Sequence, residues 1–349
     1  MSVDFGSGLL PEQDHALVAP LAADPTAGET MNFWAYDPVR DIGINIHPRI
    51  GSGQVHCMVT LFLPGGRILR QRADTGTFYD PAAPGSAHVR YRCEVPFRRW
   101  HYTVDQLPAF VTSDGEQRAA VVEDETPTAS ITLRLIADGA APVWRNGTMT
   151  AESAQMMAGA AGLWIGGRLS SGMSSESYRY DQLVRVLGEV ETPDGTLQFE
   201  GSGLRSHVRG TRKLEGMAGT CWMSGLFPSG KGFGVLVNIG VDGRYWFSEA
   251  CITDGTTLSP ARVLQFPGRH HDLDEGRFWV QLASDSHGLI DIAGEDVRAF
   301  YWSMPSWGST ATVPPRYGKD PEAGILMKQA LARYQWNGET GFGLNERSG

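Results

Sequence analysis

Residues 88–97 read HVRYRCEVPF and favour an antiparallel β protein. In this stretch polar residues alternate with apolar ones, the apolar set being Val89, Tyr91, Cys93, Val95 and Phe97. Residues 130–135, SITLRL, repeat the alternation. A period of two places one set of side chains on each face of a strand, which is typical of half-buried antiparallel sheets. Residues 55–63 are largely apolar on both faces, which predicts a strand that is covered on both sides.

Turn-forming pairs divide the remaining chain into hairpins. Asp-Gly begins at positions 114, 138, 194, 242 and 254, and Asn-Gly begins at 146 and 337. Such pairs between apolar runs are a strong signal for tight β-hairpins. Helix signals are few: residues 321–334 have an apolar stripe that predicts a helix, and residues 151–163 form either a short helix or a loop. Residues 259–275 are polar and contain proline, which predicts a long loop with a helical turn.

Composition limits the class of protein. The chain has 349 residues, a hydrophobic share of 41% and a net charge of −9, so a packed core is expected and wholesale disorder is excluded. Without a Lys/Arg run, nucleic acid is not an expected partner. No apolar run approaches the ~20 residues of a membrane span, and the first residues lack the pattern of a signal peptide. We therefore expect a soluble, cytoplasmic protein with no integral membrane segment.

Common cofactor and metal motifs do not occur in the sequence. There is no P-loop, no Gly-x-Gly-x-x-Gly at a strand-to-helix turn and no nucleophile elbow, so no cofactor is expected. The four cysteines, at 57, 93, 221 and 251, form no C-x-x-C pair and read as free thiols in a reducing compartment. Residues 270–275, HHDLDE, resemble a metal site, but adjacent histidines on an extended segment point to opposite sides. We read them as a solvated loop and expect no metal site.

Two stretches carry a family resemblance. Residues 180–188, YDQLVRVLG, followed by 199–210, FEGSGLRSHVRG, resemble the paired motif of the carotenoid 1,2-hydratase (hydroxyneurosporene synthase) family. In that family an aromatic-acid-Gln segment precedes Gly-x-Gly-x-Arg-Asp-His-Ser-Trp-Gly. The ending GFGLNE at 341–346 is similar to the family's Gly-Tyr-Gly-x-x-Glu, and FWAYDP at 33–38 is similar to its opening strand. The resemblance runs from about residue 30 to the end of the chain.

The resemblance implies an all-β, mainly antiparallel fold of two tandem lipocalin-like (calycin-type) β-barrel domains with few short helices. We place the domains at 1–190 and 191–349. Relatives with this architecture include terpenoid hydratases and cyclases and calycin-type Diels–Alderases, which act on hydrophobic substrates, typically without a redox cofactor. The sequence leaves the oligomeric state open, a homodimer included.

The motif also departs from the family pattern. Ser206 stands where the family has Asp, and Val208-Arg209 stands where it has Ser-Trp. Upstream, Asp181 stands where Glu is usual. A mechanism that uses the motif's Asp as proton donor therefore does not carry over to this chain.

Four residues are candidates for acid–base catalysis. Asp181 would have a raised pKa in an apolar pocket and so become a proton donor near neutral pH. His207 titrates near neutrality, and Arg205 shares its strand face and suits an enolate, phenolate or carboxylate. Tyr180 is a candidate donor to a substrate oxygen. Each also has a structural alternative: a hydrogen-bonded turn acid, a core histidine, an ion pair with an acid such as Glu200, and a packed core ring.

Aromatic residues suggest a ligand-lined barrel. Rings at inward strand positions either line a cavity or fill the core. Our candidates for substrate binding are Trp34, Trp222, Tyr245, Trp246 and Glu249, the last being also a second candidate proton carrier. The sequence thus favours a cofactor-independent lyase- or isomerase-type enzyme, hydratase- or cyclase-like, acting on a hydrophobic small molecule such as an isoprenoid, steroid or polyketide. One alternative is a non-catalytic carrier of such a ligand, which the departures from the motif favour. A third reading is a structural scaffold in which both barrels are filled by side chains.

Overall fold

The computed structural model describes residues 3–16, 27–51, 53–119, 121–122, 126–159, 178–192, 195–211, 217–268, 276–304, 316–320 and 324–349. Contacts divide the chain into two units. The first comprises Met1–Thr112, Glu125–Arg145 and Arg168–Thr211, and the second Ser113–Asp124, Asn146–Gly167 and Arg212–Gly349. The expected boundary between 190 and 191 lies inside a strand of the first unit, and the strand that follows it also belongs to that unit.

The first unit is a closed antiparallel barrel of eight strands. Around the barrel the order is β11-β1-β2-β3-β4-β6-β8-β10, and pairing of β10 with β11 closes it. Its strands are β1 (Ala27–Asp37), β2 (Ile42–Gly51), β3 (Gln54–Leu63), β4 (Arg67–Thr77), β6 (Arg99–Ser113), β8 (Ala129–Gly139), β10 (Tyr178–Thr192) and β11 (Gly195–Thr211). Strands β5 (Val89–Val95) and β9 (Trp144–Arg145) pair with β6 and β10. Short 3₁₀ turns cover Pro11–Asp14 and Pro64–Gly66.

The second unit is a second closed barrel of eight antiparallel strands. The order is β16-β15-β14-β13-β12-β20-β19-β17, closed by pairing of β16 with β17. Its strands are β12 (Met217–Leu226), β13 (Gly232–Gly240), β14 (Tyr245–Thr253), β15 (Leu258–Gln265), β16 (Arg277–Ser284), β17 (Gly288–Met304), β19 (Ile325–Trp336) and β20 (Glu339–Ser348). Strand β18 (Arg316–Gly318) pairs with β17, and β7 (Val121–Val122) pairs with β18.

The expected all-β fold of two tandem lipocalin-like barrels is confirmed. Two short helices occur in the described residues, α1 (Asp114–Ala119) and α2 (Ala151–Gly159). Helix α2 agrees with the helical alternative for residues 151–163. Across the same described ranges, no helix has the length and apolar character needed to cross a membrane.

Two local expectations are wrong. Residues 325–336 form strand β19 and not a helix. Most of this strand is buried on both faces, so the period-two pattern that would have predicted a strand is hidden. Residues 258–265 form strand β15 and not a loop; Pro260 is tolerated near the start of this strand. Residues 269–275, which include the HHDLDE run, lie outside the described residues.

Apolar side chains at alternate strand positions fill the interiors of both barrels. In the first barrel, a cluster of buried side chains includes Phe33 of β1, Ile44 of β2 and Tyr102 of β6. The rings of Phe33 and Tyr102 stack with centroids 4.0 Å apart. In the second barrel, Phe233 and Tyr334 meet edge to face at 4.9 Å within another buried cluster. Both sets show the inward period of two that is expected of closed barrels.

The Gly-x-Gly elements of the motif have a steric role in each barrel. A Cβ at Gly203 of β11 would lie 1.8 Å from the carbonyl oxygen of Trp34 on the paired strand. A Cβ at Gly343 of β20 would lie 1.9 Å from the carbonyl oxygen of Ser224. Only glycine permits strands to approach this closely. Each barrel therefore has one strand pair whose close approach requires a glycine of a Gly-x-Gly element, Gly203 in the first and Gly343 in the second.

Candidate functional site

The inner face of β11 carries three basic side chains at alternate positions, Arg205, His207 and Arg209. All three are buried. The strand register places Glu29 of β1 opposite Arg209, while Tyr180 and Gln182 of β10 lie opposite His207 and Arg205. Because the barrel closes at β10–β11–β1, three neighbouring strands supply polar groups to one end of its interior.

Asp14 completes this set from outside the sheet. It ends the 3₁₀ turn at Pro11–Asp14, and its side chain is fully buried. Its Oδ2 accepts hydrogen bonds from Trp100 Nε1 at 2.7 Å, from the backbone N–H of Phe97 at 2.6 Å and from Arg205 Nη1 at 3.3 Å. Its Oδ1 accepts from the Tyr180 hydroxyl and from Arg205 Nη2. With the Cys93 thiol, whose Sγ lies 3.9 Å from Oδ2, six hydrogen bonds thus converge on one carboxylate.

The Phe97 peptide is held in an unusual conformation. Its φ is 58°, in the left-handed region that residues other than glycine rarely adopt. The N–H donates to Asp14, and the carbonyl accepts from Gln182 Nε2 at 2.7 Å. These two hydrogen bonds therefore fix the backbone at Phe97, with its N–H directed at the Asp14 carboxylate. Such conformations concentrate at binding and catalytic sites.

A chain of hydrogen bonds joins Tyr180, His207 and Glu29. The Tyr180 hydroxyl lies 3.0 Å from His207 Nδ1, and His207 Nε2 is bonded to Glu29 Oε1. Burial lowers the pKa of His207, although Glu29 opposes this effect. Burial by itself would raise the pKa of Glu29, but His207 and Arg209 together lower it. We therefore assign a neutral imidazole that donates its Nε2 proton to an ionised Glu29; its Nδ1 is then an acceptor that competes with Asp14 Oδ1 for the single Tyr180 hydroxyl proton.

The two arginines balance the two carboxylates. Arg209 Nε donates to Glu29 Oε1 at 2.8 Å, and Arg205 pairs with Asp14. Burial by itself would lower the pKa of Arg205, but Asp14, Tyr180, Tyr102 and Cys93 together outweigh it, so the pKa is raised. Arg205 Nη2 also donates to the Tyr180 hydroxyl oxygen at 3.0 Å. A guanidinium in this position stabilises negative charge on that oxygen.

The structure thus brings together three of the four catalytic candidates, Tyr180, Arg205 and His207. Asp181 lies on the opposite face of β10, because neighbouring residues of a strand point to opposite sides. It is buried there, with Oδ1 3.4 Å from Arg179 Nε and Oδ2 3.4 Å from Arg179 Nη2. The expected alternative partner of Arg205 was Glu200, whereas the carboxylate that it contacts is Asp14.

Two of the candidates for substrate binding, Trp34 and Trp222, are buried. Trp34 is buried on the outward face of β1, between the core residues Phe33 and Ala35. Trp222 of the second unit is likewise buried, and it alternates with the core residues Cys221 and Met223.

The remaining three candidates lie on β14. Tyr245 is exposed and meets the Phe266 ring edge to face at 5.7 Å. Trp246 is half-buried and occupies the space beside Gly240.

Glu249 anchors the approach to helix α2. Its carboxylate oxygens accept hydrogen bonds from the backbone N–H groups of Gly147 at 2.9 Å and Met149 at 3.0 Å, and from the Ser153 hydroxyl. Carboxylates near a helix start satisfy backbone donors that have no intrahelical partner. These contacts give Glu249 a structural role, while its predicted role in substrate binding stays a prediction.

A separate groove of about 320 Å³ lies on the outer side of the first barrel. Its lining includes His101, Arg134 and Glu189, and His101 pairs with Glu94 at the surface. His101 has the opposite strand parity to the buried core residues Trp100 and Tyr102, so the groove does not belong to the inward-facing network. The converging donors belong to the network and not to this groove.

Sequence reasoning missed Asp14, Glu29, Gln182 and Arg209. Arg209 was visible as the third basic residue of an alternating set, and Glu29 shares strand parity with Met31 and Phe33. Three buried basic groups on one face require buried acids nearby, which is the signal that points to Glu29. Asp14 carries no such signal, because it lies outside the strand pattern.

The fold and its inward-facing polar site define a tandem antiparallel β-barrel protein. The chain belongs to the family described as "Domain of unknown function (DUF7064)", which it matches over residues 11–348. No protein with a curated description matches the sequence. The likeness to carotenoid 1,2-hydratases stays a prediction.

Solved structures share the fold. A putative AttH from Nitrosomonas europaea has a TM-score of 0.57 at 11% identity, over 100% of this chain and 99% of that chain. CghA with Sch210972 has a TM-score of 0.53 at 10% identity, and CghA alone has 0.51 at 11%. Both comparisons with CghA cover 93% of this chain and 88% of that chain. At identities this low, the TM-scores show a shared fold and nothing more.

Proposed function

We propose that the protein is an acid–base enzyme of the lyase or isomerase type that acts on a hydrophobic small molecule, with its site inside the first barrel. The observation that carries the proposal is the Tyr180–His207–Glu29 chain beside Arg205. A hydroxyl, a neutral imidazole and a carboxylate in series form an arrangement that transfers protons in many enzymes. The fold shared with CghA, whose structure is solved with Sch210972, supports a ligand-binding role.

The chain of groups suits proton abstraction next to a carbonyl. Once the Tyr180 hydroxyl has turned from Asp14 Oδ1 to His207 Nδ1, its oxygen takes a proton from the substrate while its own proton passes to His207 Nδ1. The resulting imidazolium is stabilised by the Glu29 carboxylate, and Arg205 stabilises the substrate oxyanion. Reversal of these steps returns the proton to another substrate atom, which gives isomerisation, dehydration or cyclisation without net loss of protons. In this scheme every proton is moved by a side chain of the protein.

A carrier of a hydrophobic ligand is the second candidate. Two observations favour it: Ser206 replaces the Asp of the family motif, and the network's polar groups already bond to one another. A carrier needs apolar walls and returns its ligand unchanged. The cytoplasmic location and a homodimer also remain proposals.

The test is turnover by matched variants. Isoprenoids, steroids and polyketides are screened by displacement of the fluorescent probe 1-anilinonaphthalene-8-sulfonate, and binders are then incubated with protein and analysed by liquid chromatography and mass spectrometry. We expect an isomer, or a product differing by one water. His207→Gln and Tyr180→Phe should slow its formation by about 10²–10⁴-fold.

The matched control is Ser206→Ala, on the opposite face of the same strand. It should leave the rate within a few-fold of wild type. Binders that are recovered unchanged from wild-type protein would contradict the enzyme and support the carrier. Product formation that His207→Gln and Tyr180→Phe do not slow would remove the proposed chain from the mechanism.

A further inference from the structure

The donors around Asp14 form a nest for a planar anion with two oxygens. Trp100 Nε1, the Phe97 N–H, the Tyr180 hydroxyl and both terminal nitrogens of Arg205 point at a single carboxylate. These donors come from the barrel strands and from a turn that Gln182 fixes, so they are positioned without help from Asp14. Charge-assisted bonds of this kind are among the strong ones in proteins.

The residue that fills the nest belongs to a segment outside the strand ladders. Outside Asp14, segment 3–16 is held by single contacts and not by a strand ladder: Val143 N–H donates to the Phe5 carbonyl, Ser7 Oγ to the Val143 carbonyl and Ala16 N–H to the Pro81 carbonyl. Arg98 and Arg209 each donate one further hydrogen bond, to the carbonyls of Val3 and His15. Each strand of the barrel pairs with a neighbouring strand on both sides through a series of backbone hydrogen bonds. Segments with few backbone bonds open at lower free energy than such ladders.

The surroundings of the nest are apolar. Leu9 packs with Phe97, Val143 and Tyr180 in one buried cluster. Beyond the network lies the barrel core, with Phe33 and Tyr102 stacked on each other. A group bound in the nest would therefore be attached to an apolar body.

We infer that Asp14 occupies an anion subsite, and that a ligand with an apolar body and a carboxylate, or the enolate of a 1,3-dicarbonyl, binds there when segment 3–16 is displaced. Both groups present two coplanar oxygens to the same donors. The inference rests on the proposed function for the identity of the site, and it adds the class of ligand. For an enolisable substrate the nest is also the oxyanion-stabilising element that proton abstraction requires.

The test is chemical rescue of Asp14→Ala. This variant removes the carboxylate and leaves the donors, so benzoate should bind and raise its melting temperature by about 2–4 °C, saturably. Benzoate should bind wild type at least about tenfold more weakly, because Asp14 competes for the donors. Ionic strength is held constant with chloride, and benzamide serves as the neutral control that should not raise the melting temperature.

Two further variants test the location of the anion. Asp14→Ala with Arg205→Met should lose the benzoate effect, because the charged donor has gone. Asp181→Ala removes another buried carboxylate, one that pairs with Arg179 on the other face of β10, and it should show no saturable effect. An equal response of Asp181→Ala and Asp14→Ala, or no response of folded Asp14→Ala, would overturn the inference.

A measurement on wild-type protein applies even if Asp14→Ala fails to fold. Decanoate and decanol are compared by hydrogen exchange with mass spectrometry. Binding of decanoate should accelerate exchange of residues 3–16, and decanol should not. Unchanged or slower exchange of this segment with decanoate would contradict displacement. Rescue by benzoate without turnover of any substrate would keep the subsite and reject the enzyme, whereas turnover without rescue would do the reverse.

Discussion

The two barrels share strand number and closure but differ in what their interiors hold. The second barrel holds a buried polar cluster in which Asp296 lies 2.5 Å from Lys328 Nζ, 3.6 Å from Arg347 Nη2 and 2.7 Å from Asn345 Nδ2. Rings fill the space nearby, including Phe278 and Tyr334. The first barrel instead links a histidine, a tyrosine, two carboxylates and two arginines.

The difference lies in proton chemistry. Asp, Lys, Arg and Asn have no ordinary pKa near neutrality, so the cluster of the second barrel reads as a structural ion pair. His207 does have one, and it is bonded on one side to a hydroxyl and on the other to a carboxylate. The same architecture therefore carries a potential proton path in one barrel and a fixed charge cluster in the other.

The largest expected effect is that of Arg205→Met. It leaves Asp14 buried without its cation, which should lower the free energy of unfolding by about 3–5 kcal/mol. Urea denaturation followed by fluorescence measures the change. The double variant Asp14→Leu with Arg205→Met should recover only part of the loss, because it removes the unpaired charge but leaves the buried Trp100 and Phe97 N–H donors without their acceptor. A loss of less than 1 kcal/mol in Arg205→Met, judged against the roughly 0–1 kcal/mol of exposed pairs, would show that Asp14 does not depend on it.

Lys328→Met, the counterpart in the second barrel, should cost less. Arg347 still faces Asp296, so we expect a loss of about 1–3 kcal/mol. Arg333→Met is the matched control on the same strand; its exposed pair with Glu295 is worth at most about 1 kcal/mol. A larger loss for Lys328→Met than for Arg205→Met would reverse the comparison between the barrels.

His207→Gln should change the pH dependence of stability. Because the folded pKa of His207 is below its ordinary value of 6.5, the unfolded chain binds the proton more readily, and stability falls as the pH drops below about 6.5. The variant removes this contribution, so its free energy of unfolding should differ less between pH 7 and pH 5. His101→Gln, which keeps His207, should retain the wild-type slope. Equal slopes for wild type and His207→Gln would contradict the lowered pKa.

Tyr245→Ala should have the smallest effect. The side chain is 54% exposed, so the free energy of unfolding should change by less than about 0.5 kcal/mol. This makes the variant a clean test of the predicted role of Tyr245 in substrate binding. Titration of a ligand found in the screen would show weaker binding if the ring contacts it. An unchanged affinity would remove Tyr245 from the candidates.

Much of the fold could be predicted from local patterns. The Asn337-Gly338 turn joins β19 to β20, and Asp242-Gly243 lies between β13 and β14, as hairpin signals require. Strand β19 was missed because burial on both faces removes alternation, and periodicity is the signal on which strand prediction depends. Asp114-Gly115 starts helix α1 and not a hairpin, because tertiary context overrides turn propensity at that point.

The site was predictable only where it follows strand parity. Arg205 and His207 lie two residues apart and do share a face, and Tyr180 meets them across the ladder. Asp14 could not be found in this way, since it is 166 residues from Tyr180 and comes from an irregular segment. Asp181 was predicted to be the catalytic acid because it occupies the acid position of the family motif. Strand parity, however, turns it to the face of β10 opposite to Tyr180.

The most direct test of the account is nitrogen NMR of the His207 imidazole in the full-length protein, assigned by comparison with His207→Gln. We predict a neutral ring with its proton on Nε2, toward Glu29, and a pKa below 6.5. A ring that titrates at or above 6.5, or that carries its proton on Nδ1 when neutral, would contradict the proposed path from Tyr180 to Glu29.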